Sequence, residues 1–426
     1  MNNKLSALMS FLDTSPTPYH VIRNLATELE GEGYIRLSEK DEWKLESGGK
    51  YYFTRGGSSM VAFRVPTCEP AGFMMSACHS DHPTFKLKEN GELVGIYTRL
   101  STEKYGGMLI APWLDRPLSV AGRVLAETDD GIESKLVNID RDLLMIPNLA
   151  IHMNRKANEG VSWNPAVDTL PLLGGRDAAG KLNALLEEMA GGKILGHDLY
   201  LYIRQKAVVW GMDSEFLSAA ALDDLDCVWG CFRGFLEAQA GESIPLLCVF
   251  DSEEVGSNSV QGADSTILQT VLGRICDALG LSLPRMLARS FMVSADNAQA
   301  IHPNHPELAD PANAPVPNGG VVLKFNASQR YATDGVSAAV FRKICARADV
   351  PVQVYYNRAD IPGGSTLGYL SLHHVSVPTA DIGLAQLAMH SCYETAGAHD
   401  PEALEKAMAA YYASSLDVTE NGFTVK

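Results

Sequence analysis

Apolar side chains recur at three- and four-residue spacing over residues 4–13 and 18–30, which predicts two amphipathic helices near the start of the sequence. KYYFTRGG and SSMVAFRV then read as a hairpin turning at Gly56-Gly57. AGFMMSA (71–77) is a short apolar run of the kind found in a buried strand. Residues 83–221 change character. Alternating segments (VAGRVLAE, SKLVNI, DLYLYIRQ) are separated by turns, and IPNLAIHMNRKANEGVSWNPAVDTLPLLGG is dense in Asn, Gly and Pro. From 222 onward, helix and strand patterns alternate: helix 223–240, strand 244–250, helix 265–280, strand 289–295, strand 321–326, helix 334–347, strand 351–357 and helix 401–415.

This alternation predicts an α/β fold, a mixed sheet covered by helices on both faces. The isolated strand at 71–77 must pair with the later strands, because its buried backbone groups need partners. The expected organisation is one α/β domain from residues 1–82 and 222–426, with a β-rich domain inserted at 83–221.

Charge narrows the partners. Of 426 residues, 35 are Lys or Arg and 51 are Asp or Glu, a formal net charge of −16. Nucleic acid, which is bound mainly through cationic contacts to phosphate, is a poor fit, and so is an anionic membrane surface. No apolar run approaches the roughly 20 residues that span a bilayer, and MNNKLSALMSFLD lacks the apolar core of a signal peptide. The eight cysteines are scattered without a CxxC pair, as in a reduced cytoplasmic protein.

The candidate chemistry lies at strand ends. His79-Ser80-Asp81 follows the strand at 71–77, Asp251-Ser252-Glu253-Glu254 follows 244–250, Asp296 follows 289–295, and Asp223-Asp224 opens a helix. Open α/β sheets bind ligands beyond the carboxyl ends of their strands. Carboxylates crowded there would repel one another unless a dication held them. Imidazole with carboxylate favours zinc, with manganese or cobalt as substitutes, over calcium or magnesium. Asp81 is spaced to orient His79 as a ligand. In the Glu253-Glu254 pair, one carboxylate could bind metal while its neighbour serves as general base. His82, His302, His305 and Asp224 are rival candidates by spacing.

SACHSD, ALDDLDC, VFDSEEVGS, SADNAQAIHPNH, LKFNASQRYATDGVS, PGGSTLG and QLAMHS resemble, in order over nearly the whole chain, the motifs of the aspartyl aminopeptidase family, and IPNLAIHMNRKANEG extends the likeness into the inserted segment. That family comprises dinuclear zinc exopeptidases. The resemblance implies that His79 and Asp296 bind one zinc ion, with Asp81 behind His79. It implies that Glu254 and His390 bind a second zinc, that Asp223 bridges the two, and that Glu253 is the general base. Lys324 would contact the acidic side chain of the substrate's first residue. Tyr331, Gly363, Gly364 and Ser365 would line the substrate site, and His152 would reach a neighbouring subunit's active site in a tetrahedral dodecamer. The implied reaction is release of an N-terminal Asp or Glu from short peptides by a zinc-activated water. A neutral-residue aminopeptidase or deacylase on the same scaffold, or a peptide-binding scaffold without catalysis, are the alternatives. Three positions depart from the family pattern: Ala221 for its usual Arg, Asp224 for Asn and Ser252 for His. They bear on substrate preference and on how the ligands are tuned.

Overall fold

The computed structural model describes residues 3–364, 366–420 and 422–426. The largest sheet has nine strands, in the order Ile35–Arg36, Lys50–Arg55, Ser59–Arg64, Ile244–Phe250, Phe73–His79, Phe291–Ala295, Thr379–Gly383, Val321–Phe325 and Val352–Tyr356. Four central strands (244–250, 73–79, 291–295 and 379–383) run parallel, and antiparallel pairings flank them on both sides. The strand at 73–79 thus finds both neighbours in the later half of the chain.

Burial on both faces follows from the near-continuous apolar runs. Along Phe73–His79, Met74 faces one core and Met75 the other, and Leu247 and Leu246 divide in the same way. One face packs against the helices Leu222–Glu237, Gly335–Arg347 and Asp400–Ala413 through Phe232, Phe341, Tyr411 and Tyr412. The other packs against Ile267–Leu279 through Ile267, Val271 and Ile275. The expected α/β class, a mixed sheet covered by helices on both faces, is therefore borne out.

The strand Thr379–Gly383 is not legible in the sequence. TADIG is short and polar, yet all five residues are buried. Asp381 is tolerated there because its carboxylate accepts hydrogen bonds from Thr366 Oγ1 (2.6 Å) and the Ala332 amide.

A second sheet of six strands, all antiparallel, is built from residues 84–203. The helix Lys181–Ala190 packs on it through Leu182, Leu186 and Ala190. A third sheet joins Val208–Trp210 and Phe216–Ala219 to Glu394–Gly397, Ala385–Leu387 and Ala298–Gln299. Among the described residues, no helix is long and apolar enough to cross a membrane.

Candidate metal centre

Strand register brings the acidic residues together. His79 pairs with Phe250, so the Asp251–Glu254 turn leaves the sheet beside it. Ala77 pairs with Ser294, which brings Asp296 level with His79. Asp223 enters from the start of the helix Leu222–Glu237, where the Asp223-Asp224 peptide is cis and Ala221 is left-handed (φ 55°). His390, also left-handed (φ 65°), comes from the turn after Ala385–Leu387.

His79 Nε2 lies 3.6 Å from Asp223 Oδ1 and 4.0 Å from Asp296 Oδ1. His390 Nε2 lies 3.5 Å from Asp223 Oδ2 and 3.6 Å from Glu254 Oε2. The two oxygens of Asp223 therefore face two different imidazoles. Two of the candidate ligand groups, one holding His79, Asp223 and Asp296 and the other Asp223, Glu254 and His390, have Asp223 in common, and a third joins His79 to Glu253 and Glu254. Asp224 lies within reach of the first set, and its Oδ2 accepts the His79 amide at 3.1 Å.

Both rings are fixed in one tautomer. His79 Nδ1 is 2.9 Å from the Asp81 carbonyl, and His390 Nδ1 is 2.8 Å from the Gly107 carbonyl. A carbonyl only accepts, so each Nδ1 donates and each Nε2 is directed at the carboxylates. For His79 the orienting group is the Asp81 carbonyl, with the carboxylate further off at 3.5 Å. That carboxylate is committed elsewhere. It accepts the Glu253 and Glu254 amides (3.1 Å each) and the Tyr105 hydroxyl (2.8 Å), and so holds the Glu253-Glu254 turn in place.

The electrostatics fit a cation. Burial, with the charge of Asp223 nearby, pushes the Glu254 carboxyl well above its usual range. Burial likewise raises Asp296, although Lys324 opposes it, and raises Glu253 to about 8, with Asp296, Asp81 and Asp223 adding to the shift. Burial alone would lower His390, yet Asp223 and Glu254 bring it up to about 10. Asp223 Oδ1 and Glu254 Oε1 are buried oxygens with no hydrogen-bond partner. Buried acceptors of this kind need a donor or a cation, and metal binding by these carboxylates would meet that need. The mixed imidazole–carboxylate donors suit zinc.

Glu394 was not singled out by sequence reasoning. It is 1% exposed, and its carboxylate accepts the Asp223 amide (3.0 Å) and the His390 amide (2.7 Å), tying two of the cluster residues to one another. Its only sequence signal is an acidic residue opening the short strand ETAG (394–397). Glu394→Gln keeps the shape but replaces one acceptor oxygen with a donor. It is expected to weaken zinc binding roughly 10- to 100-fold, read by competition with a chromophoric chelator. An unaltered affinity would assign Glu394 to packing alone.

The remaining sequence candidates spread outward. Lys324 is buried, and its ammonium is bound by the Asp296 carboxylate (3.3 Å) and by the carbonyls of Asp296 (2.6 Å) and Asn297 (3.2 Å), with the Tyr331 ring centroid 5.2 Å away. Gly363 lies close against Asn357 and Asn326, whereas Gly364 faces open space. Ser365 lies outside the described residues. His152 sits in an exposed turn and belongs to none of the candidate ligand groups. His82 is likewise outside them, its imidazole held down to about 4 by burial. His302 and His305 pack ring to ring at 5.4 Å, apart from the cluster.

Comparison with known proteins gives one answer. Residues 11–412 match the family model described as aminopeptidase I zinc metalloprotease (M18). The chain is 42% identical over 419 residues to the "Probable M18 family aminopeptidase 2" of Clostridium novyi (strain NT), covering 94% of this chain and 97% of that one. Among solved structures, a chain of the Ape4 and Nbr1 complex superposes with a TM-score of 0.93 at 35% identity, covering 96% of this chain and 85% of that one. The S. cerevisiae mApe1 dodecamer gives a TM-score of 0.85 at 28% identity, covering 96% of each chain.

Proposed function

Because the chain belongs to the M18 family and is a zinc-dependent aminopeptidase, we propose that it removes N-terminal Asp or Glu from short peptides with two zinc ions per chain. His79, Asp223 and Asp296 would hold one ion. Asp223, Glu254 and His390 would hold the other, and manganese or cobalt could substitute. The observation that carries the two-ion reading is the pair of Asp223 oxygens, one 3.6 Å from His79 Nε2 and the other 3.5 Å from His390 Nε2.

When bound, zinc supplies Lewis acidity and makes water more acidic. Glu253 takes the proton of the attacking water and returns it to the leaving amine. Asp81 positions that base by holding the amides of Glu253 and Glu254. Tyr331, Gly363 and Gly364 form the substrate edge.

The acidic preference rests on Lys324, a buried cation beside Asp296. A second reading, removal of neutral residues, is favoured by the same contact, since the ammonium already has protein partners. Turnover of peptides beginning with Asp, Glu or Leu separates the two. Under the first reading, Lys324→Ala lowers kcat/KM for the acidic peptides by about 10- to 100-fold, the worth of one charge-assisted hydrogen bond, and spares Leu. An equal loss on all three would leave Lys324 as a support for Asp296.

Assembly is proposed by likeness to the mApe1 dodecamer. Residues 83–221 would form the oligomerising unit and present His152 to a neighbouring subunit. Eight unpaired cysteines favour a reducing compartment such as the cytoplasm.

A further inference from the structure

Three consecutive residues at the end of a strand of the six-stranded sheet touch the cluster at three points. Tyr105 closes the strand Tyr97–Tyr105, and its hydroxyl donates to Asp81 Oδ2 at 2.8 Å. Gly106 has φ +80°, and a Cβ placed on it would stand 3.1 Å from Glu254 Cβ and 3.3 Å from Glu254 Oε2, so its backbone lies against that carboxylate. The Gly107 carbonyl accepts from His390 Nδ1 at 2.8 Å. Beyond them, the Leu109 amide donates to the His390 carbonyl at 2.9 Å, and Cys392 Sγ donates to the Pro112 carbonyl at 3.1 Å. On the sheet side, the Tyr105 ring meets Tyr200 edge-on, with centroids 5.6 Å apart.

These contacts converge on one outcome. Asp81 Oδ2 has two donors, Tyr105 and the Glu254 amide, so loss of the phenol leaves the oxygen that fixes Glu254 half-satisfied. The Gly107 carbonyl settles which nitrogen of His390 faces Asp223 and Glu254. Gly106 is the residue that fits between them. A side chain there would meet both a left-handed backbone and the Glu254 carboxylate.

We infer that Tyr105-Gly106-Gly107 is a positioning strap through which the six-stranded sheet sets the geometry of the Glu254–His390 ligand set, with Tyr105 acting through Asp81. The inference rests on the proposed two-zinc aminopeptidase. Groups that orient metal ligands, without touching metal or substrate, typically govern affinity by about one to two orders of magnitude.

The test uses the full-length enzyme and three variants, Tyr105→Phe, Gly106→Ala and Tyr202→Phe. Tyr202 is the control. Its hydroxyl bonds Asn138 at 2.7 Å within the same sheet and touches none of the cluster. Zinc affinity of the metal-stripped chain is measured by chelator competition, and kcat and KM are measured on the preferred peptide. Tyr105→Phe and Gly106→Ala are expected to weaken the binding of one zinc, and not the other, by about 10- to 100-fold. Tyr105→Phe should also lower kcat with little change in KM, while Tyr202→Phe matches the wild type. Wild-type zinc affinity in a folded Tyr105→Phe enzyme, or equal losses in Tyr202→Phe, would overturn the strap. Should Tyr105→Phe not fold, unchanged zinc affinity in Gly106→Ala would do the same. A wild-type chain that binds fewer than two zincs would instead sink the two-ion reading, a distinct result.

Discussion

Glu253→Gln is expected to lower kcat by about 10²- to 10⁴-fold, the range for loss of a general base, while the protein keeps its full zinc content. Glu253 belongs to neither of the two ligand sets that share Asp223. The amide of residue 253 is held by Asp81, so the backbone of the turn survives the change. Gln preserves size but cannot take a proton from water. Metal analysis together with kcat on a short peptide checks both halves of the expectation. Near-normal turnover in a fully loaded variant would move the base elsewhere.

Asp223→Asn should be costlier for metal. The wild-type carboxylate offers one oxygen towards His79 and the other towards His390. An amide gives up the negative charge and turns one of those oxygens into an NH₂ donor, which repels a cation. Zinc per chain is expected to fall below one after dialysis, and kcat/KM should drop by on the order of 10³, corresponding to about 4 kcal/mol of lost metal stabilisation. His390→Ala should by contrast retain one ion. Two zincs with wild-type affinity in Asp223→Asn would mean that this carboxylate is no shared ligand.

Much of this centre was legible because its residues follow apolar runs. FMMSACH, IPLLCVF and FMVSA announce buried strands, and the polar residues immediately after them had to stand at one sheet edge. His390 carried no such mark and came only through resemblance, since it follows the three-residue strand Ala385–Leu387. Glu394 and Tyr105 were missed for a related reason. Neither follows a long apolar run, and their meaning lies in tertiary partners, Asp81 for one and the amides of Asp223 and His390 for the other. Lys324 shows the converse. Its charge in an apolar strand called for a partner, but that the partner would include the Asp296 carboxylate was not written locally.

The interleaving of the large sheet has a consequence for the enzyme's birth. The His79 strand has both edges covered by strands that lie more than 160 residues further along the chain. While a ribosome is still making that later stretch, the His79 strand has no sheet to join, and backbone left unpaired this way does not settle into a buried layer. Ring closure over so many residues is also slow. The candidate metal centre is consequently complete only once His390, the last of its residues along the chain, has been translated and folded back.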